Sequence, residues 1–408
     1  MEEQLNLEVV RFQKEACIAL AEDKRVSDRF FIIREGQVRL YKKVQFAEEE
    51  KGDVIGPGDL FGVISAMSGH SHVETAVALT DVVLIAVRQE QFCRFIQDKP
   101  QMAKNILLTF SKRMRLLNEF LSTITLREET QSDIEHLYNV AEYYTIDKQY
   151  KKACYALVKY IKNCPEGKNI QKAKELLKKV SSDVKDIKFD FDTNETLRTY
   201  EKDDMIFAEG EPAEEIFIIR KGFVKIAKVT QKGEILLEII KPGDIFGEMA
   251  LLEEKPRSAS AVAHEKCELM VVNQANFDQL IKTQPQLITR LITLLAERIW
   301  ICYRKLTNTR IDDPLNRMYD MLLILLEKKQ VKLNVTGSHI FDFGTKELLK
   351  MIGFSSNESA DMLKKMPKSH FVKIVQDKII IQNVFEFSKH VSFIRRKLEK
   401  DKEKEMAI

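Results

Sequence analysis

Apolar residues along this chain run in short blocks broken by turns, and the same block pattern occurs twice. Ile216-Phe217-Ile218-Ile219, Arg220-Lys221-Gly222 and Phe223-Val224-Lys225-Ile226 read as a buried strand, a glycine turn and a second strand. Lys241-Pro242-Gly243-Asp244 predicts another turn. Earlier in the chain, Phe30-Phe31-Ile32-Ile33-Arg34-Glu35-Gly36-Gln37-Val38-Arg39-Leu40 aligns with the strand pair, and Gly56-Pro57-Gly58-Asp59-Leu60-Phe61-Gly62 aligns with the turn that follows. Short strands with regular turns predict a β-barrel or roll. Internal repetition predicts two of them.

Each strand-rich segment runs into helical spacing. In residues 285–306, Leu291, Leu295, Ile299, Cys302 and Leu306 share one stripe. Such a stripe packs on its own barrel or, at near-heptad spacing, supports a homodimer through helix 285–306. Between the barrels, Leu137, Val140, Ala141, Tyr144, Ala153, Leu157, Tyr160 and Pro165 occupy the large, small and terminating positions of a tetratricopeptide-like helix pair. A single unit cannot bury a core alone, so it is expected to act as a spacer or dock on a barrel, with peptide binding the alternative.

The last hundred or so residues change pattern again. Asp312-Asp313-Pro314 predicts a capped helix start before an apolar-spaced run to Leu326. Thr345–Ile352 predicts a short helix closed by Gly353, and Ser355 with Glu358 forms a capping box for a second helix through Met366. Phe371–Ile381 then reads as a β-hairpin. Two helices followed by a hairpin give the layout of a winged helix-turn-helix.

Composition narrows the class. The 408 residues exceed one ordinary core, and no apolar run reaches bilayer length. With no signal peptide evident and six scattered cysteines lacking ligand spacing, a cytoplasmic location with buried, reduced thiols and no metal is expected. The net charge of +3 neither supports nor excludes nucleic acid. The sign-alternating stretch Arg395–Lys404 fits a solvated helix end.

The chemistry concentrates in Phe246-Gly247-Glu248-Met249-Ala250-Leu251-Leu252-Glu253-Glu254-Lys255-Pro256-Arg257-Ser258-Ala259. A cyclic phosphodiester with its ribose needs a fixed guanidinium, free backbone N–H groups and a carboxylate that accepts from the sugar. Arg257, the Gly247 turn with Met249 and Ala250, and Glu248 supply these. No nucleophile and base stand together, so catalysis is not expected. In the earlier copy Val63 falls at the position of Glu248, His72 at that of Arg257 and Val73 at that of Ser258. That removes the ribose acceptor and the permanent cation, which marks a degenerate copy. His70 and His72, at i,i+2 with no third ligand, are expected to be surface loop residues.

These motifs resemble the cyclic-nucleotide-binding domain family over roughly residues 190–308. The C-terminal part resembles the catabolite-activator (Crp/Fnr-type) bacterial transcription regulators. The resemblance implies an α+β chain with a degenerate domain over 1–125, a helical linker over 126–186, a binding domain over 187–308 and a winged-helix domain with a charged tail over 309–408. It implies Glu248 on the ribose 2′-hydroxyl, Arg257 on the cyclic phosphate, Ser258 and Ala259 beside it, and Tyr303 near the base. The ligand would be a cyclic nucleotide, cAMP preferred and cGMP possible, with no other cofactor. Double-stranded DNA would be the output partner.

At the recognition helix the chain departs from that family. Where the family carries arginines, Ser356, Asn357 and Asp361 stand here, with Lys364, Lys365, Lys368 and Lys373 supplying positive charge. Ser356, Asn357, Lys364 and Lys365 are the candidate DNA contacts. Protein docking by the winged helix is the alternative output.

Overall fold

The computed structural model describes residues 6–21, 23, 27–42, 52–126, 134–182, 184, 195–230, 233–352, 361–362, 364–366 and 369–406. The chain divides into two compact units. One comprises Met1–Leu5, Glu90–Leu116 and Glu128–Leu295; the other comprises Asn6–Gln89, Leu117–Arg127 and Ala296–Ile408.

The first barrel belongs to the second of these units. Its strands are β1 Glu8–Phe12, β2 Cys17–Ala19, β3 Arg29–Glu35, β4 Val38–Lys42, β5 Asp53–Ile55, β6 Leu60–Phe61, β7 Glu74–Ala78 and β8 Val82–Arg88, with helix α1 Val63–Ser68 after β6. They form two antiparallel sheets, ordered β1-β8-β3-β6 and β2-β7-β4-β5. Period-2 alternation does the sorting: along β8, Val82, Leu84 and Ala86 are buried while Val83 and Ile85 are half-buried. Phe31, Ile33, Val38, Leu40, Phe61 and Leu84 meet in the core.

Helices α2 Phe92–Asp98 and α3 Pro100–Leu126 follow. Next come α4 His136–Ile146, α5 Tyr150–Asn163 and α6 Ile170–Ser181, one helix more than the expected pair. Leu137, Val140, Ala141, Tyr144, Ala153, Leu157 and Tyr160 are all fully buried, whereas Pro165 is exposed. Their core continues into Met205, Ala208, Val229 and Val262 of the second barrel, so the insert docks on that barrel.

The second barrel repeats the first. Its strands are β9 Leu197–Tyr200, β10 Met205–Phe207, β11 Glu215–Lys221, β12 Val224–Thr230, β13 Gly233–Ile240, β14 Ile245–Phe246, β15 Ser260–Ala263 and β16 Cys267–Asn273. The sheets are ordered β14-β11-β16-β9 and β10-β15-β12-β13. Even the register recurs: Phe31 faces Phe61 and Ile32 faces Leu60 in one copy, as Phe217 faces Phe246 and Ile218 faces Ile245 in the other. Helices α7 Glu248–Glu253, α8 Gln274–Thr283 and α9 Pro285–Thr309 complete it.

The stripe on α9 is occupied. Leu291, Leu295, Ile299, Cys302 and Leu306 are each at most 7% exposed within the single chain.

In the C-terminal segment, Asp313 accepts from the Asn316 N–H at 2.8 Å and Pro314 opens α10 Pro314–Lys328, as its sequence dictates. It continues with β17 His339–Ile340, α11 Thr345–Ile352, β18 Val372–Val375, β19 Lys378–Ile381 and a final helix, α12 Val384–Met406. Gln376 and Asp377, both at positive φ, make the tight turn between β18 and β19. The sheet order is β17-β19-β18, and Met318, Leu322, Phe341, Leu348, Ile379 and Phe387 build the core beneath it.

The helix expected at 355–366 lies mostly outside the described residues. At the start of the tail, Arg395 is half-buried and pairs with Asp320 and, at 3.2 Å, with Glu327. All six cysteines are free; Cys17 is exposed rather than buried. No helix among the described residues is long and apolar enough to cross a membrane.

Candidate functional site

Strand pairing delivers the cassette. Phe246 pairs with Phe217 on β11, and the chain leaves β14 at Gly247, whose φ of 81° lies in the left-handed region that glycine adopts without strain. Gly247 caps α7, placing Glu248 in its first turn at 2% exposure. Ala250 is buried and Met249 half-buried along the same short helix. Ser258, half-buried, and Ala259, at 7% exposure, form the bend that enters β15.

Arg257 reaches back across this loop. Its Nη1 donates to the Gly247 carbonyl at 2.6 Å and its Nη2 to the Glu215 carbonyl at 2.7 Å. Its guanidinium carbon stands 4.1 Å from the Phe207 ring centroid, a cation–π contact. Two backbone bonds fix the residue itself, Arg257 N–H to the Glu211 carbonyl and Gly210 N–H to the Arg257 carbonyl, both 2.8 Å.

The electrostatics of this arrangement are unusual. Burial pushes the Arg257 pKa down, opposed first by Glu211, yet a guanidinium keeps its charge in proteins. Among the described residues Arg257 makes no ion pair, its Nη donors end on neutral carbonyls, and its Nε has no hydrogen-bond partner. Glu215, whose carbonyl it uses, has given its carboxylate to Arg198 in a bidentate pair with both bonds 2.7 Å. A desolvated cation without a contacting anion is a costly group, and a small anion with several acceptor oxygens would relieve it.

The first barrel shows the same frame without the charge. Gly62 caps α1 at the same φ of 81°, but Val63 (6% exposed) replaces the carboxylate, and the His72 ring occupies the place beside the glycine. His70 is buried and His72 half-buried, against the surface expected of both. His70 is 8% exposed and stacks on Trp300 with ring centroids 3.9 Å apart and planes 14° from parallel. Burial pushes both imidazole pKa values down, favouring the neutral form. A bulky partner supplied from α9, far along the chain, turned a loop histidine into a core one.

The remaining candidates fall elsewhere. Tyr303 is 4% exposed on α9 and belongs to the other compact unit, so the cassette and this tyrosine are not brought together within one unit. Lys364, Lys365 and Lys373 are exposed, and Lys365 pairs with Asp361 at 2.7 Å. Ser356, Asn357 and Lys368 lie outside the described residues. Among the described residues no cluster of three or more metal-ligating side chains occurs.

Two contacts at the cassette were not legible from motif spacing. Arg115 of α3 pairs at 2.9 Å with Glu253 at the end of α7, with both side chains buried, and Ser111 donates to the same carboxylate at 2.7 Å. On the other flank, Tyr155 and Lys159 of α5 engage Glu211.

Residues 9–99 and 197–284 each match the cyclic nucleotide-binding domain family. The chain therefore carries two cyclic nucleotide-binding domains and resembles the CRP-type regulators. The cAMP-activated global transcriptional regulator CRP of Pasteurella multocida is 27% identical over 187 residues, 45% of this chain and 89% of the relative. The cyclic AMP receptor protein of Thermus thermophilus is 33% identical over 132 residues, 32% of this chain and 61% of the relative. The crystal structure of Thermus thermophilus catabolite activator protein covers 48% of this chain and 89% of its own, at 26% identity and a TM-score of 0.28. By their printed names these relatives are transcriptional regulators and cyclic AMP receptors.

Proposed function

We propose that the second barrel senses a cyclic nucleotide, cyclic AMP in preference to cyclic GMP, and that binding controls the C-terminal segment as a DNA-binding output. Arg257 grips the cyclic phosphate, Glu248 accepts from the ribose 2′-hydroxyl, and Gly247, Met249, Ala250, Ser258 and Ala259 line the phosphate loop. The first barrel, with Val63 and His72 in the two critical places, holds no nucleotide. The segments 1–125, 126–186, 187–308 and 309–408 act as the silent domain, the insert, the sensor and the output.

One observation carries the reading: a buried guanidinium whose Nε lacks a partner and which contacts no carboxylate. The preference for cyclic AMP and for transcription follows the printed functions of the CRP relatives. Calorimetric titration of the whole chain with cyclic AMP and cyclic GMP, repeated on Arg257→Ala, tests the site. Two charge-assisted bonds lost correspond to about 3 kcal/mol or more, over a hundredfold in affinity. Undiminished binding by that variant would overturn the assignment.

A second reading has its own support. Exposed Lys365 spends its charge on Asp361, which takes one of the candidate DNA contacts away from a phosphate backbone and favours a protein surface as the target. Gel shifts on mixed genomic fragments at low salt, with and without cyclic AMP, separate the two. Retardation that weakens steeply with salt supports DNA, and none at any salt supports a protein partner.

A further inference from the structure

Two side chains of the insert α4–α6, Tyr155 and Lys159, reach Glu211, whose backbone is hydrogen-bonded to that of Arg257. The Tyr155 hydroxyl lies 3.1 and 3.3 Å from the two Glu211 oxygens and 3.0 Å from the Ile206 carbonyl. Lys159 reaches Glu211 at 3.0 Å and covers the Tyr155 ring at 5.3 Å. The Ala208 N–H completes the set at 3.0 Å. Every one of these groups is mostly buried, and Tyr155 is 6% exposed.

Glu211 also borders the phosphate site, because its carbonyl accepts the Arg257 N–H at 2.8 Å while its neighbour Gly210 donates to the Arg257 carbonyl. Its carboxylate is the leading group favouring the Arg257 charge, ahead of Tyr155, Glu215 and Glu248. A carboxylate so close competes with an incoming phosphate for one guanidinium. Three donors on Glu211 satisfy it elsewhere and keep Arg257 available.

Resting on the nucleotide reading above, we infer that Tyr155 and Lys159 of the insert are positioning residues for cyclic-nucleotide binding, holding the Glu211 carboxylate away from Arg257 so that the phosphate meets an uncommitted cation. The insert is then part of the sensor, and its docking on the barrel sets the affinity. Tyr155 was not among the pattern positions of the helix pair; its ring lies in the core that the insert shares with the barrel, and its hydroxyl bonds Glu211.

The test uses the whole chain and calorimetric titration with cyclic AMP. Lys159→Gln and Tyr155→Phe each weaken binding by about tenfold, the worth of one hydrogen bond to a charged group. Adding Glu211→Gln to Lys159→Gln removes the competing charge and restores affinity to near the wild-type level. A merely structural role predicts no such rescue. Thermal melts of each variant identify any that does not fold, and Tyr155→Phe with and without Glu211→Gln carries the test if Lys159→Gln proves unstable. Unchanged binding by both single variants, or a double variant as weak as Lys159→Gln, overturns the inference while leaving the site intact, provided Arg257→Ala still abolishes binding. Binding that survives Arg257→Ala overturns both.

Discussion

Gly247→Ala probes the cradle at its tightest point. An alanine there must adopt φ near 81°, which costs an L-residue about 1–2 kcal/mol. Its new Cβ would stand 2.7 Å from Arg257 Nη1 and 3.3 Å from Phe207 Cε1. That same nitrogen donates to the Gly247 carbonyl at 2.6 Å, so relieving the clash disrupts a bond to a charged group worth about 1.5–3 kcal/mol. Together these remove roughly 3–5 kcal/mol from the unit that holds the second barrel. The displaced guanidinium also loses its alignment on the phosphate, and forfeiting one such bond weakens cyclic AMP binding by about 10- to 150-fold.

The first barrel offers a matched control. Gly62→Ala incurs the same backbone strain at φ 81°, but the nearest atoms to the added methyl, His72 Cε1 and the Phe30 Cα, are 3.6 Å away. It should lose only about 1–2 kcal/mol and bind cyclic AMP as the wild type does. Differential scanning calorimetry and isothermal titration on both variants read the two quantities. Equal destabilisation, or wild-type affinity in Gly247→Ala, refutes the reasoning.

Three further expectations follow from the same geometry. Glu248→Ala weakens cyclic AMP binding by roughly tenfold or more and binds the 2′-deoxy analogue as well as cyclic AMP, whereas the wild type discriminates; equal discrimination by both proteins removes Glu248 from the ribose. Arg115→Ala strands the buried Glu253 carboxylate and costs about 3–5 kcal/mol, while Arg115→Met with Glu253→Leu costs far less; melting temperatures distinguish the two. His70 and His72 are held below their ordinary value of 6.5 by burial, so the unfolded chain takes up protons that the folded one refuses as pH falls below that value. Stability of the first-barrel unit is therefore full at pH 7.5 or above on the ~6.5 reference and declines on acidification, and replacing both histidines with Gln flattens the decline in pH-dependent melts.

Much of this molecule was legible residue by residue. Alternating apolar positions and glycine or proline turns encode strands because the side-chain period of a strand is local, so β3, β4, β11 and β12 were recognisable along with their repeat. Asp313 and Pro314 announced α10 through capping chemistry that needs only adjacent residues. The cassette was readable for the same reason: Gly247, Glu248 and Arg257 lie within one turn-and-strand segment. The loss of charge at Val63 and His72 could be read by alignment with that segment.

Sequence alone determined the repeated strand-and-turn pattern of the two barrels and the cassette of Gly247, Glu248 and Arg257, since each is written in residues close in the chain. Tertiary structure alone decided which groups are desolvated and what they then touch. His70 became a core residue only because Trp300 stacked on it. Tyr155 and Lys159 carry no spacing signal toward Glu211, more than fifty positions away for Tyr155. Burial magnifies such polar contacts because the low-dielectric interior offers no water in their place, and burial is a property of the assembled fold.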